Sequence, residues 1–188
     1  MVNWQGQRVV VIGAARQGVA LTRYLIRHGA QVVLNDQRPA EEMNFARENL
    51  VDLSSPSLQC VWGGHPLEIL GGADLVCLSG GVPLSNALVV EAVRRGIPLS
   101  NDSQIFLNAA PCTVVGITGS AGKTTTTSLV GRMAEAADKK TWVGGNIGSP
   151  LISVLDSMVV NDLAAEEAIA AAVAEIEAAG GRDRKSVV

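Results

Sequence analysis

Between Thr118 and Thr125 the chain reads Thr-Gly-Ser-Ala-Gly-Lys-Thr-Thr, a set of residues suited to holding phosphate. Gly119 and Gly122 allow backbone angles and close approaches that a Cβ would forbid. The N–H groups of Ser120, Ala121 and Gly122, at the start of a helix, can converge on an anion with the helix dipole behind them. Lys123 would then bring a cation to the β- and γ-phosphates of ATP, and the Thr124 hydroxyl would ligate Mg²⁺, with Thr125 beside it. The usual loop of this kind carries Gly at the fifth place before its Gly-Lys pair closes; here that place is Ile117, and Gly116 lies one residue earlier. The plain alternative is a glycine-rich turn that caps a helix beside an exposed lysine. Thr124 to Thr127 form a run of poor helix formers, which favours a functional reason for at least Thr124.

A weaker signal is Gly13-Ala-Ala-Arg-Gln-Gly18. It matches the dinucleotide-binding turn except that Ala15 replaces the middle glycine, and Asp36 follows where a ribose-binding acid would stand. The Cβ of Ala15 obstructs a pyrophosphate, which counts against NAD. A nucleotide in another pose, an oxidoreductase cofactor and a purely structural turn all remain open at this level. Asp36 and Arg38 add an acceptor and a cation at the end of the second strand. His28 and His65, the only histidines, fit no Ser/His/Asp arrangement and read as structural. Arg94 and Arg95 before Gly96 complement a helix C-terminus.

Strands and helices must present these turns, and the chain divides into three pieces. From residue 1 to about 108, strands at Arg8–Ile12, Gln31–Leu34, Asp74–Leu78 and Ile97–Leu99 alternate with helices at Val19–His28 and Asn86–Arg95. This alternation predicts an α/β fold with a parallel, Rossmann-like sheet. Residues 41–66 give no clear pattern. After a linker at Ala109-Ala110-Pro111, residues 111–160 read as a strand at Thr113–Ile117, the phosphate loop, and a helix from Lys123 to Ala137. A strand at Thr141–Val143 and a second glycine turn, Gly144–Gly148, follow, as in the start of a P-loop ATP-binding domain. Residues 161–188 read as an Ala/Glu-rich helix and a polar tail: Asp162 caps, Glu166 and Glu167 sit in the first turn, and Ile169, Val173 and Ile176 form one stripe.

Composition narrows the classes. The chain has 188 residues, 47% hydrophobic and 18% charged, enough for a sizeable core. A net charge of −3 and an aromatic content of 3% give no footprint for nucleic acid. Three widely spaced cysteines form neither a disulfide framework nor a zinc pattern. No signal peptide or membrane span is read, so the expected location is the cytoplasm.

The string Gly116-Ile-Thr-Gly-Ser-Ala-Gly-Lys-Thr-Thr125, with Val143-Gly-Gly-Asn-Ile-Gly148 after it, resembles the ATP-dependent Mur ligases. Among them it is most similar to those that join D-glutamate to UDP-N-acetylmuramoyl-L-alanine in peptidoglycan synthesis. The resemblance spans residues 1 to about 160 and accounts for Ile117, because the loop of this family opens on Thr-Gly. It implies an ADP-forming amide ligase with Lys123 as catalytic residue, and ATP and Mg²⁺ as cofactors. It also implies that the first domain holds UDP through Arg16, Gln17, Asp36, Arg38 and Gly81, with Asn146 reaching the sugar nucleotide. Ala121 and Gly80 depart from the common pattern, where Asn and Pro are frequent. Beyond residue 160 the family continues into a strand, a Ser-Ser-Phe-Gln-Leu-Glu segment and further catalytic residues that this sequence lacks. The expectation is a truncated ligase, inactive alone, with a non-catalytic nucleotide-binding module as the rival.

Overall fold

The computed structural model describes residues 2–53, 56–145, 148–160 and 168–173. The first five strands are β1 (Arg8–Ile12), β2 (Gln31–Asp36), β3 (Leu58–Trp62), β4 (Leu75–Leu78) and β5 (Leu99–Ser100). They form one sheet in the order β3-β2-β1-β4-β5, and every pairing is parallel. The chain builds outward from β1 through β2 to β3, then returns to the other side of β1. That reversal makes a switch point between β1 and β4, where the following turns diverge and leave a crevice.

Strand β1 is apolar at Val9, Val10, Val11 and Ile12 because both faces of the sheet are covered. Val9 and Val11 join a core with helices α1 (Arg16–Arg27), α2 (Asn44–Leu50) and α4 (Asp102–Ala109). Val10 and Ile12 face the other way, toward helix α3 (Ala87–Arg94). Asn86 and Asn101 cap α3 and α4, their side chains accepting N–H bonds from Leu88 and Gln104.

The second sheet holds β6 (Thr113–Ile117), β7 (Lys140–Gly145) and β8 (Ala168–Val173) in the order β6-β8-β7, all parallel. Helix α5 (Lys123–Ala136) connects β6 to β7. It lies so close to β7 that a Cβ on Gly131 would come within 2.5 Å of Val143 Cγ2. After β7, a 3₁₀ turn (Leu151–Val154) and helix α6 (Leu155–Val160) place Leu151, Ile152, Leu155 and Met158 in the core shared with α1 and α4. His28, stacked against Tyr24, also reaches Asp156 of α6 at 3.3 Å.

The helix expected after Leu163 is corrected where the structure describes it. Residues 168–173 form β8, paired with both β6 and β7. The α5 crossover leaves β6 and β7 non-adjacent, and a run of six apolar residues between them completes a parallel sheet. Two sets of ladder bonds outweigh the high helix propensity of alanine. Ile169 and Val173 are therefore strand residues rather than a helical stripe. Asp162, Glu166, Glu167, Ile176 and the polar tail lie outside the described residues. The unassigned stretch 41–66 contains α2 and β3, and the last residues before the expected linker form α4.

Candidate functional site

At the end of β1 the chain turns at Gly13, whose φ of +94° suits glycine. The turn is fixed from three sides. Gly13 donates its N–H to the Asn35 carbonyl at 2.7 Å, and its own carbonyl accepts from Ser79 Oγ at 2.9 Å. A Cβ on Gly18 would stand 1.8 Å from that same carbonyl, so α1 can begin against the turn only with glycine there. Ala15 is the N-cap of α1 and supplies no side-chain bond, and no acid occupies the first turn. The start of α1 faces the crevice without a side-chain cap from Ala15.

Asp36 ends β2 and is buried. Its Oδ2 accepts the N–H of Ala14 at 2.8 Å and Arg38 Nη2 at 2.8 Å. Its Oδ1 accepts the Arg38 backbone N–H at 3.1 Å and Nε at 2.9 Å. Burial pushes the carboxyl pKa up, but the Arg38 side chain and the Ala14 and Arg38 backbone donors outweigh it, leaving a value of about 2. Asp36 clasps the β1 turn to the β2 end. It holds the Arg38 guanidinium at the crevice.

The crevice encloses about 220 Å³ and is lined by Asp36, Arg38, His65, Gly81 and Asn86 among others. Gly81, with φ +93°, has open space around it. Gln17 accepts the Gly80 N–H at 3.2 Å. Arg16 points the other way, its Nη1 donating to the Gly148 carbonyl at 3.3 Å. Arg16 and Gln17 line an adjoining pocket of about 130 Å³ with Gly145, Gly148 and Pro150. The glycine turn after β7 therefore meets the glycine turn after β1. Asn146, within it, lies outside the described residues.

His65, read from the sequence as structural, also lines the crevice. Its Nδ1 lies 2.5 Å from Asn35 Oδ1, and Asn35 is fully buried. The signal available was Gly63-Gly64 directly before it, two glycines at positive φ that turn the chain back after β3. With β3 itself unread, that turn had no strand to follow. A larger groove of about 340 Å³, lined by Trp4, Asp74, Pro98 and Ile105, lies at the amino ends of β4 and β5. Open parallel sheets bind ligands at the carboxyl ends.

In the second sheet, β6 leads into the loop 118–122 and then α5. Gly119 and Gly122 have φ of +154° and +77°, and a Cβ on Gly122 would meet open space. Lys123 Nζ folds back to the Gly119 carbonyl at 2.6 Å. Ser120, Ala121, Thr124 and Thr125 are exposed around it. Thr127 is buried and donates to the Lys123 carbonyl at 2.8 Å, so the last threonine of the run serves the helix rather than a ligand. No side chain caps α5, and its first turn has no acid. Among the described residues, no cluster of three His, Cys, Asp or Glu side chains could hold a metal ion.

Residues 7–101 match the family model described as Mur ligase MurD-like, N-terminal domain. Residues 117–184 match the Mur ligase middle domain. The chain belongs to the Mur ligase family. The middle-domain match extends past residue 160, where the sequence resemblance was expected to stop. The UDP-N-acetylmuramoylalanine–D-glutamate ligase of Shouchella clausii is 42% identical over 144 residues, 77% of this chain and 31% of that protein. The ligase of the same description from Syntrophotalea carbinolica is 36% identical over 157 residues, 84% of this chain and 34% of that protein. This Mur ligase chain thus spans about one third of the length of these relatives. A solved UDP-N-acetylmuramate:L-alanyl-gamma-D-glutamyl-meso-diaminopimelate ligase from Neisseria meningitides shares the fold. It has a TM-score of 0.51 at 18% identity and covers 89% of this chain and 52% of that one.

Proposed function

We propose that this chain carries the UDP-binding and ATP-binding parts of an ADP-forming ligase that joins D-glutamate to UDP-N-acetylmuramoyl-L-alanine in the cytoplasm. The observation that carries the reading is the pair of glycine turns, one opening α1 and one opening α5, in a chain of this family. The crevice beside Gly13 is the site for the UDP part, with Asp36, Arg38 and Gly81 along it and Arg16 and Gln17 in the adjoining pocket; Asn146, outside the described residues, is assigned to the sugar nucleotide by family resemblance alone. The engagement of Asp36 by four N–H groups weighs against NAD, because the acid of a dinucleotide site needs free lone pairs for the ribose hydroxyls.

The loop Gly119-Ser-Ala-Gly122 with Lys123, Thr124 and Thr125 suits ATP. Gly122 is open, no side chain caps the helix end, and the lysine has no carboxylate partner among the described residues. Lys123 would exchange the Gly119 carbonyl for phosphate oxygens. Thr124 would hold Mg²⁺ alongside those oxygens, as this ion is commonly held by few protein groups. The bound metal neutralises charge on the phosphates. In the reaction, a substrate carboxylate attacks the γ-phosphate and ADP leaves; the amine of D-glutamate then displaces phosphate from the acyl phosphate to form the amide. The contribution of Lys123 is charge stabilisation at a fixed position.

Thermal melting with ATP and Mg²⁺ tests the loop. Lys123→Ala should remove most of the ATP-induced rise seen in the parent chain, while its melting without nucleotide stays close to the parent's. Equal ATP-induced shifts in both proteins would refute the assignment.

A further inference from the structure

His65 offers one hydrogen-bonding atom that the fold has not used, and the network behind it fixes what that atom can do. Asn35 donates both hydrogens of its amide, to the Val61 carbonyl at 3.0 Å and to the Gly64 carbonyl at 2.8 Å. Its Oδ1 can therefore only accept, and the partner of that oxygen is His65 Nδ1. Nδ1 must carry the proton, so Nε2 of the neutral ring is an acceptor. It lies on the side of the ring opposite Asn35, and His65 lines the crevice with Asp36, Gln37 and Arg38. Nε2 has no protein partner among the described residues.

Charge decides which part of a nucleotide can meet it. The uncapped start of α1 and Arg16 mark the end of the site that favours phosphate. His65 lies on the β2 and β3 side of the crevice, held there by Asn35 of β2. A ring-nitrogen acceptor there suits a ligand donor rather than an anion. Gly63 also donates its N–H to the Arg38 carbonyl at 2.8 Å, so the His65 turn and the Arg38 segment form one wall.

We infer that His65 recognises the nucleoside of the bound UDP group, its Nε2 accepting a hydrogen bond from the uracil imide N–H or a ribose hydroxyl. This rests on the UDP reading of the crevice. Two variants separate recognition from support of the fold. His65→Asn keeps an N–H near the place of Nδ1 for Asn35 and loses the ligand acceptor. His65→Gln places an amide oxygen near the position of Nε2 and loses the bond to Asn35.

Calorimetric titration of the full chain with UDP should show His65→Asn weakened roughly three- to tenfold. His65→Gln should recover most of that affinity while melting at a lower temperature. The loss in His65→Asn should vanish with 3-methyl-UDP if the imide is the donor, or with 2′-deoxy-UDP if the hydroxyl is. UDP affinity unchanged in His65→Asn, or lost equally with every nucleotide, would overturn the proposal. Arg38→Ala distinguishes the two levels: if it weakens UDP while His65→Asn does not, only the role of His65 falls. If the parent chain fails to bind UDP, the reading of the crevice falls and the role of His65 with it.

Discussion

Asp36 shows how a residue chosen for its chemistry can serve the scaffold that presents chemistry. Its type and position were legible, since an acid closing the second strand of such a sheet is a recognised signal. Its partners were not, because they depend on Ala14 and Arg38 folding back onto one buried carboxylate. The folded pKa of about 2 lies below the ordinary value of 3.8, so the native state binds fewer protons than the unfolded chain between these values. The stabilisation is fully present above about pH 4 and is lost as pH falls toward about 2. It is worth on the order of 2 kcal/mol. Asp36→Asn should therefore be less stable than the parent near neutral pH, with the gap closing at low pH. Urea unfolding from about pH 2.5 to 7 measures it, and a gap that does not vary with pH would contradict the clasp.

At the scale of elements, legibility followed burial. Strand β1 reads as a strand because both its faces are covered. Strand β3 is an edge strand whose middle residues Gln59 and Cys60 are exposed, so neither an apolar run nor an alternation marks it. The β8 segment was misread because alanine and glutamate favour helices locally, whereas its state is set by the slot between β6 and β7. The joint between α5 and β7 is equally a matter of tertiary fit, since Gly131 alone says nothing of Val143. Gly131→Ala should destabilise the chain by about 1–3 kcal/mol through overpacking. Val143→Ala should lose part of that penalty when combined with it, a coupling that a double-mutant cycle in urea would detect. Additive effects would mean that the two residues do not meet.

Across the whole molecule, two sheets bring their glycine turns toward one another, and the segment from Leu151 to Met158 locks them through the core of α1 and α4. The glycine turns were legible because chemistry restricts the residues that can form them. The meeting of Arg16 with Gly148 was not, because it depends on packing between sheets 132 positions apart along the chain. The proposed function gives UDP and ATP separate places on one scaffold, and amide-resolved NMR titration of the 188-residue chain tests that proposal most directly. UDP is expected to shift the amides of Ala14, Arg38, His65 and Gly81, and ATP with Mg²⁺ those of Gly119 to Thr125, with the second set retained when UDP is already bound. Both nucleotides perturbing one common set of residues, or UDP leaving the Gly13 crevice unmoved, would contradict it.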